Sequence, residues 1–242
     1  MKLAVDIGNT RGKAAVFEGD NLLELVVFDK RKIISEIKKI VKKFSVSSGI
    51  LSNVATISTL KRKKLQEILP FVILSSTSKL PFTNLYKTPK TLGVDRIALV
   101  ASAVKQFPKK NVLIIDAGTC ITYDFVNDKA AYLGGAISLG IQLRFKALHA
   151  FTANLPLVEL TDNNALIGKN TTESIASGVV NGVAKEIDGI IDMYKKENLH
   201  LTVVLTGGDT IFLSKQLKSS IFATQNFLLQ GLNEILKLNE HK

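Results

Sequence analysis

Two aspartates occupy the same local pattern at distant places in the chain. Asp6 and Asp116 each end a short apolar stretch, and each is followed by a glycine at the second position after it. The stretches beyond the glycines, 13–17 and 121–126, are again rich in strand-forming residues. Carboxylates at such strand ends suit Mg²⁺ carried in with a polyphosphate, because this cation prefers hard oxygen ligands. The repeat therefore predicts two related phosphate-binding hairpins.

The glycines indicate how each hairpin would meet a phosphate. Gly8 and Gly118 allow a positive φ and a close approach of the backbone to a ligand, so that successive N–H groups can form an anion-binding concavity. Three side-chain donors adjoin these glycines: Asn9, Thr10 and Thr119. Lys13 can neutralise phosphate charge from the next strand. One Asp-x-Gly turn would be weak evidence, since many hairpins contain one, but two at matched positions favour a nucleotide.

Alternating strand and helix patterns surround both hairpins and predict an α/β fold. Helices are expected at 32–44, 59–69, 95–107, 141–153, 172–196 and 222–238, and further strands at 49–55, 71–75 and 201–205. The longest helix carries an apolar stripe that we expect in the core: Ile175, Val179, Val183, Ile187, Ile190 and Tyr194. Segment 79–92 holds two prolines and no clear period, so it is expected to be a surface loop.

The turn-forming segment 108–111 is the best candidate for a domain boundary. It separates a predicted helix from the second Asp-x-Gly strand. The expected domains are therefore 1–109 and 110–242. Because each half contains the same strand, glycine turn and strand, we expect two related domains that face each other across a cleft.

Composition excludes several classes of protein. With 242 residues, 46% of them hydrophobic, the chain can bury one large core or two smaller ones. Its single cysteine, Cys120, excludes an intramolecular disulfide framework and favours a reducing cytoplasm. The N-terminus lacks a signal-peptide pattern, and no apolar run approaches the length of a membrane span. We therefore expect an ordinary cytoplasmic globular protein with no membrane partner.

The formal net charge of +11 makes nucleic acid a partner to consider. The densest basic clusters, 30–43 and 61–64, lie on helical patterns whose other face is apolar. They lack the interleaved aromatic residues on which bases would stack. We interpret them as solvated helix faces and expect no nucleic-acid partner.

Six motifs, taken together and in this order, resemble the type III pantothenate kinase family. They are Asp6 to Lys13, Gly93-Val94-Asp95-Arg96, Asp116 to Asp124, Gly134 to Gly140, Asn170-Thr171 and Thr206-Gly207-Gly208-Asp209. The Gly-x-Asp-Arg motif between two Asp-x-Gly turns is specific to this family within the actin and sugar-kinase superfamily. Cys120, Leu139 and Ser174 depart from the family pattern, but none of these changes removes a charged or catalytic group.

The resemblance implies a fold, a reaction and partners. The fold would be two ribonuclease-H-like domains with the active site in the cleft between them. The reaction would be ATP-dependent phosphorylation of pantothenate at its terminal hydroxyl, giving 4'-phosphopantothenate in the first step of coenzyme A biosynthesis. The family typically forms homodimers and needs Mg²⁺ and a monovalent cation, K⁺ or NH₄⁺.

The resemblance also implies roles for single residues. The ATP-binding positions of the family match Asp6, Gly8, Asn9, Thr10, Lys13 and Thr119. The pantothenate-binding positions match Tyr86, Gly93, Val94, Asp95, Arg96 and Thr171. Asp95 matches the general base, and Asp116 matches the ligand of the monovalent cation. Independently, a carboxylate beside Arg96 stays ionised and can accept a proton, while Arg96 can hold a carboxylate in a bidentate contact.

Each of these roles has a plain structural alternative. Asp95 could cap the following helix, with Arg96 paired on its surface. Tyr86 could be a packing residue with a solvated hydroxyl. Thr171 could be only a helix cap, although free N–H groups at a helix N-terminus also favour an anion, and Thr172 competes with it for the substrate contact.

Two further functions stay open at this point. The chain could be a kinase of another small acceptor in the same superfamily, such as a sugar or a short carboxylic acid, but that function gives no reason for Gly-Val-Asp-Arg. It could also be a catalytically inactive accessory or regulatory protein of this fold. Loss of Asp6, Asp95 or Asp116 would favour this last function, and the chain retains all three.

Overall fold

A computed structural model describes residues 1–8, 11–53, 57–161 and 165–240. Contacts within the chain divide it into two compact units. The first contains 1–109, 129–133 and 226–242, and the second contains 110–128 and 134–225. The division after Lys109 falls in the turn segment 108–111, whereas the C-terminal residues fall in the first unit. Domain limits at 1–109 and 110–242 stay a prediction.

The first unit is built on a mixed five-stranded sheet. Its strands are β1 (Lys2–Ile7), β2 (Gly12–Glu18), β3 (Asn21–Phe28), β4 (Ser48–Asn53) and β5 (Phe71–Ile73), arranged in the order β3-β2-β1-β4-β5. β2 runs antiparallel to β1 and β3, while β4 runs parallel to β1 and β5. Alternate residues of β1, Leu3, Val5 and Ile7, share an apolar core with Ile37 and Leu65, which belong to α1 (Ile33–Lys43) and α2 (Thr59–Ile68).

Two further helices complete this unit. They are α3 (Val94–Gln106) and, at the end of the chain, a helix over Phe227–Asn239. They pack closely, because Gly231 has no side chain: a Cβ there would lie 1.8 Å from the carbonyl oxygen of Ala98. Position 231 therefore requires glycine. The packing fixes α3, whose first turn holds the Gly-Val-Asp-Arg motif.

The second unit repeats the strand arrangement. Its strands are β7 (Val112–Ala117), β8 (Cys120–Val126), the end of β9 (Ala131–Leu139), β10 (Thr202–Thr206) and β11 (Phe222–Ala223), in the order β11-β10-β7-β8-β9. As in the first unit, the Asp-x-Gly strand pairs antiparallel with the next strand and parallel with a later one. Its helices are α4 (Ile141–Ala150), α5 (Thr171–Glu197) and α6 (Thr210–Ser214), and the C-terminal helix is α7.

The apolar stripe predicted along α5 packs in the core of this unit. Val183 and Ile187 are fully buried, while Ile190 and Tyr194 are partly buried against the same core. Val158 and β7 residues such as Leu113 and Ile115 complete the core. In the described part of the chain, no helix is long and apolar enough to cross a membrane.

Three predicted elements need correction. The last helix begins at Phe227 rather than 222, because Phe222 and Ala223 pair with β10 as a short parallel strand. The helix after β9 ends at Ala150 rather than 153. Segment 79–92 is not wholly irregular: β6 (Thr83–Asn84) pairs with Ala131 and Tyr132 at the start of β9, and Pro89–Thr91 forms a 3₁₀ turn.

Candidate active site

Asp6 lies near the carboxyl end of β1, between two polar neighbours on adjacent strands. The strand register places Lys13 of β2 on one side and Ser52 of β4 on the other. Burial, followed by repulsion from Asp95, raises the pKa of Asp6 to about 6, although the Ser52 hydroxyl and the Lys13 ammonium lower it. Asp6 Oδ1 is buried, and no described residue forms a hydrogen bond with it. A buried acceptor of this kind favours a cation or a donor from a ligand.

Asp95 lies in the first turn of α3, and its carboxylate turns back over the helix start. Its Oδ1 accepts a hydrogen bond of 2.8 Å from the backbone N–H of Arg96. A Cβ on Gly93 would lie 2.3 Å from the same oxygen, so glycine leaves room for this conformation. The N-cap of α3 is Gly93, and Asp95 lies inside the helix, so Asp95 is not the N-cap residue itself. The Asp95 carboxylate raises the pKa of Asp6 by charge repulsion, so these two predicted site residues lie in one neighbourhood.

Arg96 and Tyr86 also meet in the first unit. Arg96 is 5% exposed, which contradicts a surface ion pair. Its guanidinium carbon lies 5.7 Å from the ring centroid of Tyr86 in a cation–π contact. Tyr86 in turn stacks on the fully buried ring of Tyr132, with the centroids 6.1 Å apart and the planes at 21°. The two residues predicted to bind the acceptor substrate thus support each other.

Val94, between Gly93 and Asp95, is the first residue of α3 and is partly exposed. The start of a helix favours an anion, because its first N–H groups have no backbone partner within the helix. In α3 one of them, the N–H of Arg96, already donates to the Asp95 carboxylate. Gly93, Val94, Asp95 and Arg96 therefore form one helix start that can meet a carboxylate ligand.

Both glycine turns differ from the sequence expectation, in the φ of the glycine and in the use of its N–H group. Neither Gly8 nor Gly118 has a left-handed φ; the described glycines that do are Gly19, Gly134 and Gly207. The backbone N–H of Gly8 donates to the carbonyl of Arg11 at 3.1 Å, and that of Gly118 donates to Cys120 at 2.9 Å. These two amides are therefore used within the hairpins. Asn9 and Thr10 lie outside the described residues.

Asp116 in the second unit has a corresponding place near the end of β7. Its neighbours across the sheet are Thr122 of β8 and Thr206 of β10. The turn after β10 lies against it: Gly207 has φ +101°, and a Cβ there would lie 2.4 Å from Asp116 Oδ1 and 2.2 Å from the Ala117 carbonyl oxygen. This position requires glycine for both its φ and its surroundings.

Thr119 is exposed, directly after the second Asp-x-Gly turn. Its carbonyl accepts a hydrogen bond of 3.1 Å from the N–H of Gly140. A Cβ on Gly140 would lie 2.0 Å from the Gly118 carbonyl oxygen. The glycine-rich stretch 134–140 therefore ends with backbone packed directly on this turn.

Thr171 is the first residue of α5 and is exposed, but it is not the cap. Asn170 is the N-cap, and its Oδ1 accepts from the N–H of Glu173 at 2.9 Å. The Glu173 carboxylate in turn accepts hydrogen bonds from the N–H of Lys169 at 2.7 Å and from the side-chain amide of Asn170 at 2.8 Å. Capping is therefore complete without Thr171, whose hydroxyl is available for a ligand. The competition between Thr171 and Thr172 stays open.

The residues of the first unit fit a divalent cation that arrives with a nucleotide. No group of three or more His, Cys, Asp or Glu side chains that could hold a metal occurs among the described residues. Mg²⁺ commonly uses only one or two carboxylates, with water and phosphate supplying the other ligands. Asp6 Oδ1 is buried with no hydrogen-bond partner among the described residues, and the nearby Asp95 carboxylate repels the charge of Asp6. A divalent cation would provide the positive charge that offsets this repulsion.

A sequence model of the family described as type III pantothenate kinase matches residues 2–193. A type III pantothenate kinase of Flavobacterium johnsoniae is 48% identical over 97% of this chain and 96% of its own length. That of Christiangramia forsetii is 49% identical over 99% of both chains. The chain belongs to the type III pantothenate kinase family. A type III pantothenate kinase of Bacteroides fragilis is 42% identical over 99% of this chain and 98% of its own length.

Solved structures show the fold that this family member shares with more distant proteins. A conserved putative Baf family transcriptional activator from Campylobacter jejuni has a TM-score of 0.63 at 22% identity, covering 97% of each chain. A glucokinase from an Antarctic psychrotroph has a TM-score of 0.53 at 12% identity, covering 98% of each chain. The two mixed sheets and the likeness to these structures confirm the predicted α/β fold class.

Sequence reasoning missed three residues around the predicted positions in this pantothenate kinase family member. Ser52 belongs to no motif of the sequence, and only the pairing of β1 with β4 brings it to Asp6. Tyr132 supports Tyr86 from 46 residues away along the chain, which no local pattern indicates. Asp209, whose pKa is raised by burial, donates its backbone N–H to the Ala117 carbonyl at 3.0 Å. Asp209 belongs to the Thr206-Gly207-Gly208-Asp209 motif, but nothing in the sequence indicates this contact.

Proposed function

We propose that this chain transfers the γ-phosphoryl group of ATP to the terminal hydroxyl of pantothenate, the first step of coenzyme A biosynthesis. Membership of the type III pantothenate kinase family supports the reaction. The assignment of residues rests on one observation: Asp6 and Asp95 lie close together in the first unit, and the buried Arg96 follows Asp95. A kinase needs charge neutralisation, a positioned acceptor and a base, and these side chains can supply all of them.

The acceptor substrate is assigned to the start of α3. Arg96, held by the ring of Tyr86, would bind the pantothenate carboxylate. Asp95 would accept the proton of the attacking hydroxyl, which requires a carboxylate within hydrogen-bond reach of that hydroxyl. Gly93 leaves space for the Asp95 carboxylate, and Val94 and Thr171 are assigned further substrate contacts.

The nucleotide is assigned to the Asp-x-Gly turns. We assign Asp6, Gly8, Asn9, Thr10 and Lys13 as ATP contacts, with Thr119 as a separate one. Lys13 would neutralise phosphate charge, while Asp6 would hold the divalent cation that accompanies ATP. When bound, such a cation offsets the negative charge on the phosphates during transfer. Gly8 contributes by its lack of a side chain, since its N–H is already used.

The monovalent cation, K⁺ or NH₄⁺, is assigned to Asp116. The carboxylate lies close to the backbone of Gly207, whose conformation leaves no room for a side chain. Oxygen ligands from a carboxylate and nearby carbonyls suit a weakly hydrated cation of this size. This assignment comes from the family resemblance, and potassium dependence tests it.

A homodimer is the assembly that we propose, in the cytoplasm where ATP and this biosynthetic route are found. The second unit exposes several large apolar side chains around the end of α4 and the segment after it: Phe151 (89%), Leu157 (53%), Leu166 (79%) and Ile167 (76%). Large exposed apolar side chains favour contact with another protein surface where they meet in one patch. Sedimentation analysis tests the dimer, and Phe151→Ser with Leu166→Ser would shift it towards monomer.

The deciding experiment measures ADP release by the purified protein with Mg-ATP. Pantothenate is compared with glucose and acetate as acceptors, each with potassium and with sodium alone. We expect turnover that depends on pantothenate and rises with potassium, and mass spectrometry should show one added phosphate on pantothenate. Activity with another acceptor alone would establish the kinase but overturn the substrate, whereas inactivity with every acceptor would favour an accessory role.

A further inference from the structure

A partly buried polar cluster in the second unit joins four elements close to the second Asp-x-Gly turn. Its centre is Arg144 of α4, which forms an ion pair with Glu186 of α5. The other Glu186 oxygen accepts a 2.9 Å hydrogen bond from the hydroxyl of Tyr123 of β8. Arg144 also donates from Nε to the Leu139 carbonyl at 2.9 Å and from Nη2 to Ser138 Oγ at 3.1 Å. We call these residues the Arg144 cluster.

The cluster is partly shielded from water and contains one ion pair. The side chains of Arg144 and Glu186 are 21% and 25% exposed, and Tyr123 is completely buried. Burial raises the pKa of Glu186, but hydrogen bonds from Arg144, Ser138 and Tyr123 outweigh it, so that the pKa lies below its ordinary value. Burial and Glu186 raise the pKa of Tyr123. Glu186 is therefore a carboxylate that orients both Arg144 and Tyr123.

The end of β9 that Arg144 contacts lies against the second Asp-x-Gly turn. Leu139 is followed by Gly140, whose N–H donates to the Thr119 carbonyl at 3.1 Å. The space between the two backbones admits no side chain, since a Cβ on Gly140 would lie 2.0 Å from the Gly118 carbonyl oxygen. The backbone N–H of Arg144 donates to the Gly140 carbonyl at 3.0 Å. This last bond is the first backbone bond of α4 and does not depend on the side chain, so the arginine itself acts through the contact of its guanidinium with the Leu139 carbonyl, next to Gly140.

We propose that Arg144 is a positioning residue for the nucleotide, acting through Gly140 on the turn that carries Gly118 and Thr119. Glu186 orients the guanidinium for this task. The proposal rests on the proposed function only in taking Thr119 as an ATP contact. It predicts that loss of the cluster weakens nucleotide binding and leaves pantothenate binding unchanged.

The geometry requires arginine rather than any cation. Three acceptors on two elements are reached at once by Nε and Nη2, which have a fixed geometry in the planar guanidinium. A lysine would keep the charge and one contact, but it would release the Leu139 carbonyl or Ser138. Arg144→Lys should therefore behave like Arg144→Ala in nucleotide binding, although it preserves the charge.

The test measures binding of a non-hydrolysable ATP analogue with Mg²⁺ by calorimetry, which needs no turnover. Arg144→Ala and Arg144→Lys should both raise the Kd for the analogue by about tenfold to a hundredfold, the penalty typical of a misplaced contact group. The KM for pantothenate should stay within about twofold. Lys146→Ala is the matched control, because Lys146 is an exposed cation on the same helix. It should leave both constants unchanged.

Two further measurements separate positioning from general loss of structure. Hydrogen exchange at the amides of 118–120 and 140 should become faster in the Arg144 variants, while exchange in the core of α5 stays slow. Glu186→Gln should show a smaller effect in the same direction, and the double variant Arg144→Ala, Glu186→Gln should be no worse than Arg144→Ala alone.

The outcomes are distinct. Wild-type nucleotide affinity in Arg144→Lys or Arg144→Ala would overturn the proposal, as would an equal loss of pantothenate binding or faster exchange throughout the second unit. A wild-type protein that binds the ATP analogue but phosphorylates no pantothenate would overturn the proposed function and leave the positioning role intact. Additive effects of Arg144 and Glu186 would show that the two residues do not act as a unit.

Discussion

The two Asp-x-Gly turns have the same backbone arrangement and different surroundings. Asp6 and Asp116 each lie near the end of a strand that pairs antiparallel with the next strand and parallel with a later one. The neighbours of Asp6 are Lys13 and Ser52, and those of Asp116 are Thr122 and Thr206. The repeated backbone therefore places the carboxylates, while residues from other elements decide what each carboxylate can do.

The different surroundings lead to different kinds of constraint. Around Asp6 the constraint is electrostatic, because a buried acceptor lies near the second carboxylate of Asp95. Around Asp116 the constraint is steric, because Gly207 and Gly140 bring backbone into direct contact with the turn. We expect charge substitutions to have their main effect in the first unit, and glycine substitutions in the second.

The largest expected effect is that of Asp95→Asn on turnover. The amide cannot accept the substrate proton, so kcat with pantothenate should fall by about 10²- to 10⁴-fold, the usual contribution of a general base. Binding of the ATP analogue should persist, since the change removes charge repulsion near Asp6 rather than a phosphate contact. Asp192→Asn, an exposed carboxylate on α5, is the control and should be unaffected. Normal turnover in Asp95→Asn would remove it as the base.

The next effect compares two glycines of the second turn region. Gly207→Ala places a side chain at φ +101° and 2.2 Å from the Ala117 carbonyl oxygen, so the free energy of unfolding should fall by about 2–4 kcal/mol. Gly118→Ala meets no atom within 4 Å and should change it by less than about 0.5 kcal/mol. Urea unfolding of both variants without nucleotide tests this. Equal losses would mean that the steric constraint is not specific to position 207.

Asp6→Asn should stabilise the nucleotide-free protein while impairing nucleotide binding. Because the folded-state pKa of about 6 lies above the ordinary 3.8, the folded protein binds more protons than the unfolded chain between these values. The contribution of the Asp6 carboxyl to the free energy of unfolding therefore falls as the pH rises from about 4 to 6. At pH 7 the ionised carboxylate destabilises the folded protein by its full amount. Its removal should add about 1–3 kcal/mol to the free energy of unfolding at pH 7, and less at pH 4. Urea unfolding at both pH values measures the difference, and a destabilised variant at pH 7 would contradict it.

The duplicated hairpins and most elements could be predicted, because apolar periodicity and turn residues are local signals. The stripe on α5 and the start of α3 are examples. The proximity of Ser52 to Asp6 and of Tyr132 to Tyr86 could not be predicted, because strand pairing and aromatic stacking join distant residues. The short strand at Phe222 lies where the sequence predicts helix, because its apolar residues fit both periods until its pairing with β10 is known.

The first turn should also release a proton when it binds a nucleotide with Mg²⁺ below pH 6. A cation needs Asp6 ionised, whereas the free protein holds its proton up to about pH 6. Protonation of Asp6 alone should therefore lower the affinity for the Mg–ATP analogue by about tenfold for each pH unit below that value. The terminal phosphate titrates in the same range, with a second pKa of about 6, so measurements on the wild-type protein alone cannot identify the group that releases the proton.

Asp6→Asn is the control, because the nucleotide still releases its phosphate proton when it binds this variant, whereas the variant has no carboxyl at position 6 to release one. Calorimetry in buffers of different ionisation enthalpy should show that the wild-type protein releases up to about one proton more than Asp6→Asn at pH 5, and the same number at pH 7. Equal proton release at pH 5 would place the divalent cation away from Asp6.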